Sequence, residues 1–597
     1  MAEHPSEVDI IFVSGGTAAC AAAGRLAAAN PGLEILLVEQ GPNNFNEPTV
    51  YIPAMVLAHL VPDSKNTLFW QGNKSDKIGG RGPIVASGGV LGGGSSVNFM
   101  MYARPAASDL DDWNTAGWGA EDLIPLMRKI ETYHLSPGGD THGYTGPIHV
   151  SYSNYYSPVS QEYLDVITQR GVPLVEDLMD TKTGHGCQRL AKYIHPTTCR
   201  RQDAAHCYVH SQADNTSLHV LTKTKVARVV FDGTKATGVE VIANKDQTPD
   251  ADQTPRVITA RRLVVISAGA IGSPMVLQRS GIGCAERLSK LGIHVVSDLP
   301  DVGRHYEDHS SLIATFHVAD DTETMDCIVE KEPGFMERYL SEFAEGRGFL
   351  TTNANDAGSK LRPTPEELKE MGPAFQEVWK RHYEQAPDKP ALIQTVFNGY
   401  LGPRSMVPDG KRFMMIGNIQ GYPVSRGHVY ITSTDPYAAP DFETGFLDEQ
   451  ADVDVLIWAY KKCREVCRRM PSFRGEYAGL HPKFPKGSAA ACVRLAGPPP
   501  AEMDDIVYTA KDNAVVEQFV RETASTTWHS IGTIPMKPKE QGGCVDTRLN
   551  VYGTLSLKVA DLSILPSNVG ANTCLTALLI GEKAAILIAE DLGLNVP

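Results

Sequence analysis

The sequence predicts an α/β protein whose first domain is built on a doubly wound, mostly parallel sheet. Asp9–Val13 has the continuous apolar character of a buried strand and leads through a glycine-containing turn into the alanine-rich helix Ala18–Asn30. Leu33–Glu39 is a second strand that ends in an acid, so the chain opens with a βαβ unit. Strand patterns return far downstream and extend the same sheet. The 597 residues, 42% of them hydrophobic, suffice for a large core.

The later elements are spread so widely that the first domain is expected to be discontinuous. Strands are predicted at Leu218–Leu221, Ala227–Phe231, Thr237–Ile242, Arg262–Ser267 and Leu557–Val559. The helix Thr576–Leu592 follows the last of them. Residues 320–400 have charged helical patterns, residues 412–435 alternate like sheet strands, and residues 489–503 are typical of an exposed loop. This middle region is expected to form a second domain that lies over the first.

Charge and composition exclude several classes of function. The formal net charge of −15 argues against nucleic acid or an anionic membrane as a partner. The polar first residues do not resemble a secretory signal, and Ile10–Val13 is too short to cross a bilayer. The last three residues are not a peroxisomal tripeptide, so a cytoplasmic protein is expected. The eleven scattered cysteines complete no zinc set; we expect them to be reduced and mostly buried, with no metal site.

The turn between the first strand and the first helix is a candidate dinucleotide-binding motif. A pyrophosphate binds at a helix N-terminus where glycines let the backbone approach closely. The candidate contacts are Ser14, Gly15, Gly16, Thr17 and Ala18. Serine and alanine replace the first and third glycines of the usual pattern, at Ser14 and Ala19. Glu39 ends the second strand, where its carboxylate is placed to accept both ribose hydroxyls of an adenosine.

Two polar residues near the C-terminus are candidates for catalysis. His529 follows Thr527-Trp528, and Asn572 lies in the segment Asn568–Thr573, each among small residues that give a substrate room. A neutral histidine accepts a proton, and an asparagine donates a hydrogen bond without changing its charge. Together they are suited to deprotonate an alcohol and hold its oxygen. Either residue alone is more often structural.

Two further glycine-rich segments complete the set of motifs. Gly88–Phe99 exposes backbone N–H groups and paired serine hydroxyls, against which a phosphate or a flat ring can lie. Gly269–Gly283 has the pattern of a strand exit, a helix started by Pro274 and a glycine-capped end. At these two segments the chain resembles the glucose–methanol–choline (GMC) oxidoreductases, a family of FAD enzymes. The finer resemblance is to the fungal alcohol oxidase branch, carried by the blocks Gly92–Tyr102, Thr434–Phe446, Thr526–Gly532, Asn550–Gly553 and Ala577–Lys583.

The resemblance, which extends over residues 8–592, implies how the chain is divided. It implies an FAD-binding, Rossmann-like doubly wound domain and a discontinuous α+β substrate domain built on an antiparallel sheet. The FAD-binding domain is expected to comprise residues 1–155, 211–310 and 526–597. The substrate domain is expected to comprise residues 156–210 and 311–525.

The resemblance also implies roles for individual residues. His529 corresponds to the active-site base and Asn572 to its partner, while Trp528 and Phe99 correspond to aromatic side chains that narrow the pocket. FAD would accept hydride, and O₂ would take the electrons. Val97 stands where some members have a histidine bonded to FAD, which implies a non-covalent flavin. The remaining cofactor contacts that we expect are Gly92, Gly93, Ser95, Asn98, Val226, Asp561, Leu562 and Thr573.

The leading hypothesis is an FAD-dependent alcohol oxidase that converts a small primary alcohol to an aldehyde and releases hydrogen peroxide. An alternative is a tailoring oxidase or dehydrogenase acting on the hydroxymethyl group of a larger metabolite. Altered charges at Asp301, His305 and Glu307 and a shortened stretch at 488–505 favour it. A non-redox lyase or cyclase is a third possibility, supported only by Ser14. The expected partners are the alcohol and O₂, and a homo-oligomer remains open.

Overall fold

The opening strand, Glu7–Val13, lies inside a seven-stranded sheet whose strands come from three separate parts of the chain. The structure, a computed structural model, describes residues 5–136, 138–330 and 334–596. In spatial order the strands of this large sheet are Leu218–Leu221, Ile35–Val38, Glu7–Val13, Arg256–Ile266, Lys235–Ala243 and Thr224–Asp232, with Leu557–Val559 also paired to Arg256–Ile266. Only the pairs made by Lys235–Ala243 are antiparallel.

Helices cover this sheet closely because their contact faces consist of small side chains. The helix Thr17–Ala29 packs on the C-terminal helix Cys574–Leu592, and a Cβ on Gly581 would lie 2.5 Å from the carbonyl oxygen of Ala18. The Arg25 Nε atom and a Glu582 carboxylate oxygen are 2.7 Å apart across the same contact. The strands below are buried on both faces, as expected of parallel strands. The predicted α/β fold class is confirmed.

A second sheet of six strands is entirely antiparallel. In spatial order its strands are Phe473–Glu476, Ser311–Val318, Phe413–Gln420, Leu392–Phe397, Asn355–Leu361 and Gly186–Arg189. Helices Pro158–Gln169, Gln450–Cys467 and Ala510–Thr523 share one apolar core with it. Two of the strands lie in a region whose pattern predicted helices alone. Asn355–Leu361 is buried along its whole length despite its polar residues, so hydrophobic periodicity does not reveal it.

The remaining elements connect these two layers. Smaller sheets are formed by Thr67–Gln71 with Ile84–Gly88, Glu131–Tyr133 with Ile148–Val150, Ile282–Gly283 with Ser297–Asp298, and Arg304–Tyr306 with Gly427–Tyr430 and Asp441–Glu443. The other α-helices are Pro48–Tyr51, Gly94–Val97, Ala107–Asp112, Ala120–Ile130, Gly269–Arg279, Ala285–Lys290, Asp326–Val329, Phe335–Ala344, Pro365–Glu370 and Gly372–His382. The domain boundaries given above stay a prediction.

One local prediction is wrong. The helix expected to start at Pro274 begins at Gly269 and contains the proline. A proline inside a helix leaves the carbonyl four residues earlier without its usual N–H donor. Here that carbonyl belongs to Ala270, and it accepts a hydrogen bond from the Thr533 hydroxyl at 2.6 Å. A side chain from a distant segment therefore replaces the missing donor.

The cysteines and the lengths of the helices test whether the chain has a metal site or a membrane span. All eleven cysteines are free, and most are buried, as expected. Within the described ranges, no group of histidine, cysteine and acidic side chains is arranged to hold a metal ion. Likewise, no helix of the described part combines the length and the apolar character that a membrane span requires.

Candidate active site

A single cavity of about 320 Å³ lies between the two sheets and connects the N-terminal glycine turn with the C-terminal histidine. At one end its walls include Ser14 and Gly16, and at the other His529 and Asn572. It continues to the second sheet, where Thr395 contributes to its lining. The cavity therefore joins the two candidate motifs that the sequence placed at opposite ends of the chain.

The glycine turn presents backbone to this cavity. Gly16 precedes the helix Thr17–Ala29, which has neither a side-chain cap nor an acidic residue in its first turn. The first N–H groups of this helix therefore stay available to an anion. Ser14 has a φ of 82°, a left-handed conformation that glycine adopts at little cost. The Ser14 hydroxyl donates to a Glu39 carboxylate oxygen at 2.9 Å.

Glu39 faces the turn. Its carboxylate also accepts hydrogen bonds from the backbone N–H groups of Gly15 (2.9 Å) and Gly41 (2.8 Å). Burial raises its pKa, although these donors act in the opposite direction. The neighbouring Gln40 lines the cavity. In this conformation the Glu39 carboxylate is hydrogen-bonded to the turn. For the carboxylate to contact a ribose, a ribose hydroxyl would have to replace the Ser14 hydroxyl as its donor.

The loop that begins at Gly92 packs directly on the turn. The Thr17 hydroxyl donates to the Gly92 carbonyl at 3.0 Å, and the backbone N–H of Ser95 donates to the Thr17 hydroxyl oxygen at 3.2 Å. A Cβ on Gly93 would lie 2.9 Å from the Cα atom of Gly16, so only glycine allows this approach. Buried Arg201 donates to the Asn98 backbone carbonyl at 2.7 Å and to its side-chain oxygen at 2.9 Å. Asn98 therefore has a fixed orientation at the cavity wall.

Two more helix N-termini meet the cavity. The C-terminal helix begins after Thr573, again with no side-chain cap and no acid in its first turn. The helix Gly269–Arg279 begins next to Asp561, whose carboxylate accepts from the Gly269 N–H at 2.9 Å and from the Ser273 hydroxyl at 2.5 Å. Burial raises the pKa of Asp561. Three helix N-termini therefore lie at the cavity, and the Asp561 carboxylate already occupies one of them.

A buried acid positions the segment that carries His529. The Asp308 carboxylate accepts the backbone N–H of His529 at 2.9 Å and the hydroxyl of Thr526. The hydroxyl of Tyr306 donates to the same carboxylate at 3.2 Å. Trp528, which lies between Thr526 and His529 in the chain, has a φ of 61°, and its ring lines the cavity. Burial raises the pKa of Asp308 to about 6, although its hydrogen-bond donors lower it.

The hydrogen bonds of the His529 ring define its tautomer. Its Nε2 atom lies 3.2 Å from the Asn572 side-chain nitrogen, which can only donate, so Nε2 carries a lone pair. Its Nδ1 atom therefore carries the proton. Nδ1 lies 3.0 Å from the Thr527 hydroxyl oxygen and 2.9 Å from Nδ1 of His309. The Thr527 hydroxyl donates its own proton to the His309 carbonyl at 2.9 Å, which leaves its oxygen free to accept.

Both imidazoles are neutral near pH 7. Burial, and next the neighbouring His309, hold the pKa of His529 well below its ordinary value of 6.5. Burial lowers the pKa of His309 to about 4, against the carbonyl groups of Val569 and Gly421, which raise it. A neutral His529 with its Nε2 lone pair beside the cavity has the protonation state that a general base needs.

Aromatic rings narrow the cavity beside His529. The rings of Phe99 and Trp528 are stacked with centroids 6.0 Å apart and planes 5° apart. Phe397 of the second sheet meets Phe99 edge-on, with centroids 6.1 Å apart. Beyond these rings the cavity reaches Thr395 and Asn355. The Phe99–Trp528 stack therefore lies next to His529, and the cavity also extends to the second sheet.

The structure brings most of the predicted site residues together. The cavity is lined by Ser14, Gly16, Thr17, Ala18, Gly93, Ser95, Asn98, Phe99, Trp528, His529, Asp561, Leu562, Asn572 and Thr573. Four predicted residues do not line it: Gly15, Glu39, Gly92 and Val226. Gly15 belongs to the turn, Glu39 and Gly92 are hydrogen-bonded to it, and Val226 lies in the strand Thr224–Asp232. Their assigned roles in cofactor binding stay predictions.

Asp301, His305 and Glu307, whose charges depart from the family pattern, do not line the cavity either. His305 is exposed and lies 3.6 Å from the Asp301 carboxylate. Glu307 is buried and pairs with Arg426 at 3.0 Å, while its backbone bonds to Ile531. These residues therefore do not contact the cavity, and their charges do not favour a different substrate.

Sequence reasoning missed His309, Asp308 and the buried His59. His309 is 220 positions from the residue whose ring it contacts, and no local pattern encodes that contact. A histidine that directly follows an aspartate and precedes a buried strand is a weak signal, because many structural histidines share that pattern.

Comparison with known proteins places these motifs in a family. The N-terminal model of the GMC oxidoreductases matches residues 8–311, and their C-terminal model matches residues 423–581. The alcohol oxidase of Candida boidinii is 40% identical over 638 aligned residues, which cover 99% of this chain and 96% of the relative. The alcohol oxidase of Pichia angusta is 41% identical over 637 residues with the same coverage. The expected family resemblance is confirmed.

Solved structures share the fold over its whole length. A variant of Aspergillus oryzae formate oxidase has a TM-score of 0.83 at 22% identity and covers 99% of both chains. An FAD-dependent oxidoreductase from Chaetomium thermophilum has a TM-score of 0.81 at 24% identity, with coverage of 98% of this chain and all of that one. A fungal aryl-alcohol oxidase has a TM-score of 0.78 at 23% identity, with coverage of 99% of this chain and all of that one.

Proposed function

The chain belongs to the GMC oxidoreductase family, and on that premise we propose that it is an FAD-dependent alcohol oxidase. It oxidises a small primary alcohol to the aldehyde, and O₂ takes the electrons to give hydrogen peroxide. The observation that carries this proposal is the neutral His529, whose Nε2 lone pair meets the Asn572 amide at 3.2 Å beside a narrow cavity.

The residues present fit FAD. Two of the three helix N-termini at the cavity lack any carboxylate at their first turn, which suits the diphosphate. The glycines of the turn and the loop form a close cradle that side chains would fill, as the 2.9 Å approach at Gly93 indicates. The residues that would hold the cofactor are Ser14, Gly16, Thr17, Ala18, Gly93, Ser95, Asn98, Leu562 and Thr573. Bound FAD supplies the acceptor for the hydride of the alcohol.

His529 and Asn572 divide the work on the alcohol oxygen. The hydroxyl enters between them and replaces the hydrogen bond that Asn572 makes to Nε2. His529 Nε2 takes the hydroxyl proton, and its Nδ1–H keeps the ring oriented through Thr527 and His309. Asn572 donates a hydrogen bond to the oxygen as negative charge develops there. Because both imidazoles are buried and neutral, Nε2 of His529 is unprotonated and able to accept the hydroxyl proton when the alcohol binds.

The aromatic stack supports a small substrate and a flavin held without a covalent bond. Phe99 and Trp528 leave little width next to His529, which suits a short carbon chain. Val97 lines the cavity, and its side chain has no nucleophilic atom with which to bond a flavin. We propose that FAD is bound by backbone contacts and is released intact on denaturation.

A second candidate rests on the depth of the cavity. Behind the aromatic rings the cavity extends along the second sheet to Asn355, Thr395 and Met415. This space favours a larger alcohol whose hydroxymethyl group alone reaches His529. The two candidates differ in the length of substrate that the rings admit.

Anaerobic titration of the purified holoenzyme tests the proposal. Methanol, ethanol, butan-1-ol and benzyl alcohol are added separately, and bleaching of the oxidised-flavin absorbance is followed. Rapid bleaching that is fastest with the shortest alcohols supports the first candidate, whereas faster bleaching with the larger ones supports the second. A yellow protein that none of these alcohols bleaches would refute both. Admission of air after bleaching should restore the colour and release hydrogen peroxide.

A further inference from the structure

A buried histidine without a partner lies in the cavity far from His529 in the sequence. His59 ends the short 3₁₀ segment Pro53–His59 and is 1% exposed. Neither of its ring nitrogens has a hydrogen-bond partner, and its side chain belongs to the cavity lining. A buried imidazole that leaves both nitrogens unpaired is costly, so such a group calls for a ligand that completes it.

Backbone contacts place His59 next to the glycine turn. Its carbonyl accepts the Thr67 hydroxyl at 2.8 Å, and Thr67 pairs with Gly88 across the hairpin. A Cβ on Gly88 would lie 2.2 Å from the carbonyl carbon of Gly93, which itself packs on Gly16. His59 and the uncapped N-terminus of the helix Thr17–Ala29 therefore line the same cavity and are linked through the hairpin.

The protonation state of His59 determines what it can offer. Burial, and next the nearby Arg201, lower its pKa to about 3, against the Thr49 backbone, which raises it without completing a hydrogen bond to either ring nitrogen. The ring is therefore neutral and carries one N–H group. An oxyanion placed between this N–H and the helix N-terminus would receive hydrogen bonds from both sides.

We propose that His59 donates a hydrogen bond to the diphosphate of FAD and is a cofactor-anchoring residue of this chain. The inference rests on the proposed function, since it requires FAD. In this proposal the diphosphate lies between His59 and the backbone of Gly16 and Thr17, which line the same cavity. The diphosphate site would then have hydrogen-bond donors from two elements: the imidazole of His59 and the N-terminus of the helix Thr17–Ala29.

The test compares FAD binding by the His59→Phe variant and the wild-type protein. Phenylalanine keeps a ring of similar size but has no N–H, so the dissociation constant for FAD should rise about tenfold to a hundredfold. His59→Gln, which restores an N–H donor, should recover most of that loss. The exposed His294→Phe serves as a matched control and should bind FAD as the wild type does.

A second readout locates the contact along the cofactor. In the holoenzyme, the ³¹P resonances of the bound diphosphate should shift in His59→Phe, while the visible flavin spectrum stays the same. A shift in the visible spectrum with unchanged ³¹P resonances would place His59 at the flavin ring and overturn the inference. Equal FAD affinity of His59→Phe and the wild type would also overturn it, with the proposed function intact. A wild-type protein that takes up no FAD would refute the proposed function itself.

Discussion

The end of the cavity around His529 is built from side chains, whereas the end around Ser14 is built from backbone. At the first end two neutral imidazoles, an amide and a hydroxyl hold one another within 3.2 Å. At the second end, glycines and helix N-termini form the wall, and Glu39 is engaged behind it. A substitution at the first end therefore removes a chemical group, while one at the second end changes the shape of a cradle. The two ends should differ in the size and kind of effect that mutation produces.

The largest effect is expected at the base. His529→Ala removes the proton acceptor, so flavin reduction by the alcohol should slow by about 10²–10⁴-fold while FAD stays bound. Anaerobic stopped-flow spectroscopy measures both. In the wild type, the reduction rate should stay constant as the pH falls through 6.5, because the pKa of His529 lies well below that value and the ring remains unprotonated. An unchanged rate in His529→Ala would place the base elsewhere.

Asn572 should have the next largest effect. Asn572→Ala removes the donor to the developing alkoxide, and the reduction rate should fall by about 10²–10³-fold. Asn572→His restores an N–H donor at the same position and should lose less. If alanine and histidine at this position gave the same rate, the amide would not stabilise the oxygen. The rates are measured under saturating alcohol, so that the chemical step is observed.

Variants of His309 test how much the orientation of the His529 ring contributes to the rate. His309→Phe removes the nitrogen that accepts from His529 Nδ1, so kcat should fall about 10–100-fold, with KM for the alcohol little changed. His309→Asn offers a carbonyl acceptor in its place and should recover part of the loss. A loss confined to KM, or a drop in thermal stability that accounts for the whole effect, would contradict a positioning role.

Ser14 should give the smallest effect, and its sign depends on the replacement. Ser14→Gly relieves the left-handed conformation, worth about 1 kcal/mol, and loses the bond to Glu39, worth about the same. Ser14→Ala keeps the unfavourable conformation and loses the bond, so it should be about 1 kcal/mol less stable than the wild type. Thermal melting of the holoenzymes should therefore place glycine near the wild type and alanine below both. The reverse order would show that the Ser14–Glu39 bond is not stabilising.

Most of the fold was predictable because its first layer follows simple patterns. The apolar run Ile10–Val13 and the alanine-rich helix after it indicate a parallel, buried sheet, and the structure has both. Elements whose burial is compensated by hydrogen bonds were not predictable. Asn355–Leu361 is fully buried with polar side chains, and Pro274 lies inside a helix because Thr533 supplies a donor. Such compensation comes from residues distant in sequence.

The candidate site divides in the same way. His529 and Asn572 were identified by their chemistry and by resemblance, and they lie in contact. The contact of His309 with His529 depends on how two segments pack, which no motif describes. Glu39 was placed correctly at the end of its strand, but its carboxylate bonds to the Ser14 hydroxyl and to the Gly15 and Gly41 N–H groups, which the sequence does not reveal. Sequence therefore predicts which groups are available better than it predicts what each group contacts.

The contact between the first helix and the C-terminal helix has a consequence for biosynthesis. The Arg25–Glu582 pair joins residues 557 positions apart, and Gly581 touches Ala18 beside the glycine turn. A ribosome delivers the chain from its N-terminus at about 5–20 residues per second. The turn is therefore synthesised early, and the helix Cys574–Leu592 that packs beside it emerges only much later. Flavin capture in the cell should follow translation, and nascent chains that stop before residue 574 should remain colourless and be substrates for chaperones.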